Sequence, residues 1–227
     1  MNGTRRLIVA IDGPAGAGKS TVAGRVAAHF GLLNLETGAM YRAFALKAME
    51  KGIAPDNDAA LEQMAAVTSI ALEPTPTGNR VLLDGTDVTA RVRDAEVTKA
   101  ASLVSVHPAI RRWMVDLQHK LGENGGIVME GRDIGTVVFP HADIKIFLDA
   151  SPEARGERRY EQSGRAGSQE AILREIRERD QRDRNREQSP LRPAPDAVVI
   201  DSTHLTLEEV VSKVEELITA RLALAAE

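Results

Sequence analysis

The sequence predicts an α/β fold: a three-layer α/β/α domain on a five-stranded parallel sheet, with a small antiparallel insertion and a helical lid. Three observations predict it. Short apolar runs alternate with helical stretches along most of the 227 residues, the order of parallel strands joined by crossover helices. The first run opens directly into Gly13-Pro14-Ala15-Gly16-Ala17-Gly18-Lys19-Ser20, the G-x-x-x-x-G-K-[ST] pattern of a phosphate-binding loop. One segment, residues 68 to 92, breaks the alternation with short extended pieces around turn residues.

The elements follow in order. Leu7-Ile8-Val9-Ala10-Ile11 is unbroken and apolar, as a central strand buried on both faces must be. In the loop after it, glycines permit turns that aim successive N–H groups at an anion. Lys19 can reach outer phosphates and the Ser20 hydroxyl can ligate Mg²⁺. Val22, Val26 and Phe30 share one helical face, and Gly31 ends the helix. Leu32 to Leu35 forms the second strand, and a helix runs from about Gly38 to Lys51, stopping at Gly52. Thr37 and Arg42 therefore stand at the carboxyl edge of the sheet, where open α/β sheets bind ligands.

A short helix is expected over 57 to 67. Ser69 to Glu73, Arg80 to Leu83 and Thr86 to Val88 then read as strands, punctuated by Thr77-Gly78-Asn79 and by Asp84-Gly85, a hairpin signal. Helices over 94 to 106 and 108 to 121 return to the main body, with Trp113 as packing. Ile127 to Glu130 is the third core strand, ending in a polar loop, Gly131 to Thr136. Asp143 to Leu148 and Ala197 to Ile200 are the fourth and fifth. Ser151-Pro152-Glu153 starts one helix. Thr206 and Glu209 form a capping box for the last, whose Val210, Val214, Leu217 and Ile218 face inward.

Residues 170 to 187 carry six arginines, Arg174, Arg177, Arg179, Arg182, Arg184 and Arg186, among acidic residues. Glu175 with Arg179 and Glu178 with Arg182 have the i,i+4 spacing of a solvated, salt-bridged helix. Forked guanidinium groups also suit phosphate. With the phosphate loop present, a lid is the expectation, hinged near Gly164-Arg165-Ala166-Gly167.

Bulk properties narrow the function. A net charge of −4 argues against a general nucleic-acid binder. The absence of cysteine excludes disulfides, thiolate catalysis and Cys-ligated zinc. The five histidines are scattered. No apolar run approaches the ~20 residues that span a membrane, so a cytoplasmic chain is expected, with a monomer as the default. A phosphate cradle facing several arginines suits phosphoryl transfer, in which the protein mainly positions groups and neutralises charge. An acceptor that is itself a phosphate explains the arginine excess.

The chain resembles the bacterial cytidylate kinase family of nucleoside monophosphate kinases over essentially its whole length. The matching stretches are Ile11 to Ser20, Thr37-Gly38-Ala39-Met40-Tyr41-Arg42, Gly131 to Pro140, Lys145 to Ser151, Glu178-Arg179-Asp180, Arg182 to Arg186 and Asp201-Ser202-Thr203. The resemblance implies an ATP-dependent CMP and dCMP kinase with Mg²⁺. It implies a P-loop kinase core over 1 to 60 and 105 to 227, a lid over about 155 to 188, and a CMP-binding insertion over 61 to 104. Gly13, Pro14, Ala15, Gly16, Ala17, Gly18, Lys19, Ser20 and Thr21 would hold ATP phosphates. Arg42 and Arg132 would bind the CMP phosphate, joined by Arg179 on closure. Thr37, Ser102, Arg111 and Asp133 would read cytosine, Asp183 would approach the sugar, and Arg186 would meet phosphate. Lys19, Arg132, Arg179 and Arg186 would be the catalytic set. Ser20 would hold Mg²⁺, with Glu130 acting through water; the family often has Asp at the latter position. Members of the family can carry Ser where this chain has Thr37, which retains the hydroxyl. The competing readings are another small-acceptor kinase of this fold, for UMP, AMP or shikimate, a nucleotide-dependent RNA-binding protein, and a non-catalytic nucleotide-binding switch.

Overall fold

The computed structural model describes residues 6 to 75 and 78 to 226. Thr77, in the turn expected before the second small strand, lies outside them. The main sheet holds β1 (Ile8–Asp12), β2 (Leu33–Glu36), β6 (Ile127–Gly131), β7 (Ile144–Asp149) and β8 (Val198–Asp201). They run in the order β2-β6-β1-β7-β8, all parallel. Strand β1 is central, so it is covered on both faces. Ile8 and Ala10 join one apolar cluster and Val9 and Ile11 the other. This is the physical content of the unbroken apolar run.

On one side lie α1 (Lys19–Phe30) and α8 (Leu207–Ala226), packed through Val22, Val26, Val210, Val214 and Ile218. Gly31 ends α1 at φ +64, a left-handed conformation that favours glycine. The capping box forms: the Glu209 N–H donates to Thr206 Oγ1 at 3.2 Å, and the Thr206 N–H to Glu209 Oε2 at 2.8 Å. On the other side lie α2 (Thr37–Glu50), α3 (Asp58–Ala66), α4 (Ala95–Val104) and α5 (Pro108–Gly122). Here Trp113 packs on Phe44 with ring centroids 5.2 Å apart.

The small antiparallel sheet comprises β3 (Ile70–Thr75), β4 (Gly78–Leu83) and β5 (Thr86–Asp87). Asp84 and Gly85 both have positive φ, +49 and +79, as a two-residue primed turn requires. One residue docks this sheet on the main one. Asn79 Oδ1 accepts from the Glu36 N–H at 2.8 Å, and its Nδ2 donates to the Asn34 carbonyl at 2.7 Å. Its side-chain amide thus satisfies the edge of β2.

Between β7 and β8 come α6 (Pro152–Gln162) and α7 (Gln169–Asn185). Their connection has positive φ at Gly164, Arg165 and Gly167. Ser151 and Ser168 cap the two helices, accepting from Ala154 and Ala171. The expected pairs Glu175–Arg179 and Glu178–Arg182 do not form among the described residues. Arg182 Nε donates instead to Ser102 Oγ at 3.2 Å, and Arg177 pairs with Glu153 at 2.7 Å. Helix α7 is held by partners on other elements, which outweigh weak pairs along its own surface.

Candidate active site

The phosphate loop joins β1 to α1. Gly13 has φ +148, and a Cβ there would lie 2.0 Å from the Leu148 carbonyl oxygen, so only glycine passes the end of β7. Gly16 and Gly18 are also left-handed. Pro14 and Ala15 are buried, and Lys19 Nζ folds back onto the Pro14 carbonyl at 2.7 Å. Ser20 and Thr21 are exposed at the first turn of α1.

Two cavities flank this loop. One, of about 360 Å³, lies between the loop, the start of α2, the end of β6, and α7. Lys19, Ser20, Thr37, Arg42, Arg111, Glu130, Arg132, Asp133, Arg179, Asp183 and Arg186 line it. The other, of about 500 Å³, is lined by Gly16 to Val22, Arg158, Gln162, Ser202 and the start of α8. The loop thus has a room on each side.

The first room is dominated by arginines against a few carboxylates. Arg132 Nε donates to Asp183 Oδ2 at 3.0 Å, and Arg42 pairs with Glu36. Arg111 Nη2 donates to Asp133 Oδ2 at 2.5 Å and Nη1 to the Ser105 carbonyl at 3.1 Å, and the guanidinium carbon lies 5.7 Å from the centre of the Tyr41 ring. Arg186 approaches Asp133 at 4.0 Å and Asp183 at 3.8 Å. Arg179 Nε is buried without a partner. Burial and the neighbouring Arg132 lower the Arg179 pKa to about 10. Burial, then Arg132 and Arg179, lower Lys19 to about 7 against the pull of Glu130. Burial raises Asp183, but Arg132, Arg179 and Arg186 outweigh it and hold its carboxyl below the usual range.

Glu130 is also buried. Desolvation pushes its carboxyl up, against Lys19 and a hydrogen bond from Ser20, and its Oε1 has no partner. The Thr37 hydroxyl donates to the Glu130 carbonyl at 2.8 Å.

The stretch after Asp133 differs from the expected loop. It closes into one π-helical turn, Ile134–Val138. Its first amides are claimed by Asp12, whose carboxylate accepts from Ile134 N at 2.8 Å and Gly135 N at 2.7 Å. Burial raises the Asp12 pKa to about 6. Asp12 thereby ties the end of β1 to the turn that carries Arg132 and Asp133.

Of the residues singled out in the sequence, only Ser102 among those assigned to the first room stands off its wall. It is buried, takes the bond from Arg182, and leaves the lining to Ala101 and Ser105. Sequence reading missed Glu36, Tyr41, Arg93, Thr98 and Arg159, which also line the room. Glu36 and Tyr41 were signalled by adjacency to Thr37 and Arg42. Arg93 and Thr98 carry no motif; the fold of residues 91 to 104 brings them in.

A phosphate loop at the carboxyl edge of a parallel sheet, facing a cleft of converging arginines, defines a P-loop kinase fold. The family model described as cytidylate kinase matches residues 9–220. Proteins described as cytidylate kinase are similar throughout. One from Geobacillus kaustophilus (strain HTA426) is 48% identical over 221 residues, covering 96% of this chain and 99% of its own. One from Pelotomaculum thermopropionicum is 50% identical over 216 residues, covering 93% and 96%. The chain belongs to the cytidylate kinase family. A solved structure of an uncharacterized protein from Eubacterium ventriosum ATCC 27560 shares the fold, with TM-score 0.50 at 12% identity, over 94% of this chain and 99% of that one. Among the described residues no helix is long and apolar enough to cross a membrane.

Proposed function

We propose that this chain transfers the γ-phosphoryl group of ATP to CMP and dCMP, the acceptor occupying the room lined by α2, β6 and α7 and the donor the room at the start of α1. The observation that supports this most is the cluster of Lys19, Arg132 and Arg179. Their mutual repulsion and burial bring Lys19 down to about 7. Such a cluster costs the free protein stability, and bound phosphates offset the cost.

The loop amides from Gly13 to Thr21 hold the donor phosphates, with Lys19 leaving the Pro14 carbonyl to reach them. Arg42 and Arg132 take the acceptor phosphate, and Arg179 with its free Nε joins them. Arg186 supports the same charge from behind Asp133. Transfer needs no general base, because the attacking phosphate oxygen is already ionised. Arg111 and Asp133, locked together, present a donor and an acceptor to the base, beside Thr37 and the Ser102 region. Asp183 meets the sugar.

Ser20 and Glu130 fit a Mg²⁺ site. The orphaned Glu130 Oε1 beside the Ser20 hydroxyl offers an acceptor for a coordinated water. Ser20 and Glu130 would hold a Mg²⁺ ion there, and the ion would supply charge neutralisation for the donor phosphates. On this reading residues 1 to 60 and 105 to 227 are the kinase core, 155 to 188 the lid, and 61 to 104 an insertion whose Arg93, Thr98 and Ala101 wall the acceptor room. The proposal extends to a cytoplasmic monomer that takes small-molecule substrates.

The test is transfer itself. ATP labelled in its γ-phosphoryl group, incubated with Mg²⁺, CMP and the purified protein, should yield labelled CDP. Release of label only as inorganic phosphate would contradict the reading.

A further inference from the structure

Arg155 belongs to no part of the arrangement above, yet it is among the most buried side chains in the protein, at 1% exposure. Its planar guanidinium reaches three elements at once. Nε donates to the Ala150 carbonyl at 2.9 Å, at the end of β7. Nη1 donates to the Ala15 carbonyl at 3.0 Å, in the phosphate loop, and to Asp180 Oδ1 at 3.0 Å, in α7. Nη2 pairs with Asp180 Oδ2. The Arg155–Asp180 pair is bidentate and shielded, a geometry that fixes orientation as well as distance.

Each end of this bridge has a consequence. The Ala15 carbonyl and the Gly16 N–H share one rigid peptide plane, so holding the carbonyl fixes the aim of an amide in the donor loop. The approach is close: a Cβ on Gly16 would stand 3.3 Å from Arg155 Cβ. At the other end, Asp180 follows Arg179 and precedes Asp183 by three residues on one helix. Holding Asp180 therefore fixes the rotation of α7 that turns Arg179 and Asp183 into the acceptor room.

We propose that Arg155, through Asp180, is a positioning residue that couples the donor loop to the lid helix, so that filling the loop strengthens acceptor binding. The inference rests on reading the two rooms as donor and acceptor sites. A loop that shifts to wrap phosphates moves the Ala15 carbonyl. The rigid fork passes that movement to α7 without any direct contact between the two nucleotides. If Arg155 served only stability, removing its fork would leave the coupling between the two sites unchanged.

The experiment measures the CMP dissociation constant with and without a saturating, non-hydrolysable ATP analogue and Mg²⁺. It uses the whole protein and its Asp180→Asn and Arg155→Lys variants. In the unaltered protein the analogue should tighten CMP about fivefold or more, the size of an ordinary coupling between sites. In Asp180→Asn the factor should fall below about twofold, while affinity for either nucleotide alone changes little. Arg155→Lys keeps the charge but loses the fork, and serves if Asp180→Asn does not fold. Asp180→Glu should restore part of the coupling. An unaltered coupling factor in folded variants, or none in the unaltered protein, would overturn the proposal. Because the readout is binding, it is separable from the function proposed above. Coupling lost in variants that still make CDP supports the bridge, and unaltered protein that binds CMP independently of the analogue but makes CDP overturns the bridge alone. Failure to bind CMP at all overturns both.

Discussion

Arg132 donates through Nε to Asp183 Oδ2 at 3.0 Å across the first room, joining the end of β6 to α7. A carboxylate thus occupies the arginine assigned to the acceptor phosphate, as Glu36 occupies Arg42. On the proposed reading an incoming phosphate would replace one anion by another, and Asp183 would become free for the sugar. Asp183→Asn weakens the contact to the sugar more than it relieves the competition for Arg132. KM for CMP should rise about tenfold, the scale of one charged hydrogen bond, with KM for ATP within about twofold. Steady-state kinetics with each substrate varied would show it, and an unchanged KM for CMP would contradict the assignment.

Arg179 is a stability cost kept for function. Its Nε is buried without a partner, and its pKa is lowered to about 10 by burial and Arg132. Replacing an unsatisfied cation with an apolar side chain of similar length commonly stabilises a protein. Arg179→Met should therefore raise the melting temperature by roughly 2 °C or more. It should lower turnover about 100-fold, as loss of one transition-state donor does. A calorimetric scan paired with a rate measurement checks both signs. A lower melting temperature would contradict the claim of stored repulsion.

Lys19 supplies a pH dependence. With a pKa of about 7 in the free protein, it is mostly neutral at pH 8. Bound phosphates favour the ammonium form and raise that pKa, so ATP binding takes up protons. At pH 8 the uptake should approach about 0.9 proton per site, and ATP affinity should fall as pH rises above 7. Titration calorimetry at pH 8 in buffers of different ionisation enthalpy measures it. Lys19→Met should abolish the uptake.

Asp12 holds the turn that presents Arg132 and Asp133. Its two carboxylate oxygens accept the Ile134 and Gly135 amides. In Asp12→Asn one oxygen becomes an NH₂ group facing an N–H, leaving a buried donor unsatisfied at a cost of about 1–3 kcal/mol. KM for CMP should rise about tenfold or more, and the melting temperature should fall by several degrees. Unchanged acceptor kinetics in a destabilised variant would limit Asp12 to the fold.

Local signals account for what the sequence made legible. The phosphate loop, the apolar run of β1 and the Asp84-Gly85 turn each state a backbone requirement within a few residues. The arginine-bearing motifs at 42, 132, 179 and 186 likewise pointed to one cleft. What escaped depends on distant partners. Arg155 and Ala15 are 140 residues apart, and Asp12 and Gly135 are 123 apart. The amide of Asn79 completes the edge of β2 from 43 residues away. None of these leaves a period in the chain. The partners that hold α7 are distant in the same way. Spacing along the helix offered Arg179 and Arg182 to neighbouring glutamates, whereas the fold turns Arg179 toward Lys19 and Arg182 toward Ser102. The Ser102 hydroxyl likewise takes its partner, Arg182, from α7, while its neighbours Ala101 and Ser105 line the first room.

The central claim is that phosphate loop and arginine cleft together move a phosphoryl group onto a cytidine monophosphate. Initial rates with Mg²⁺-ATP against CMP, dCMP, UMP, AMP, GMP and shikimate test it most directly. CMP and dCMP should be turned over strongly and the other four weakly, because on the proposed reading the Arg111–Asp133 pair faces the base. Comparable or better turnover of another acceptor would contradict the assignment of cytosine recognition to that pair. Absence of turnover across all six would contradict the kinase reading itself.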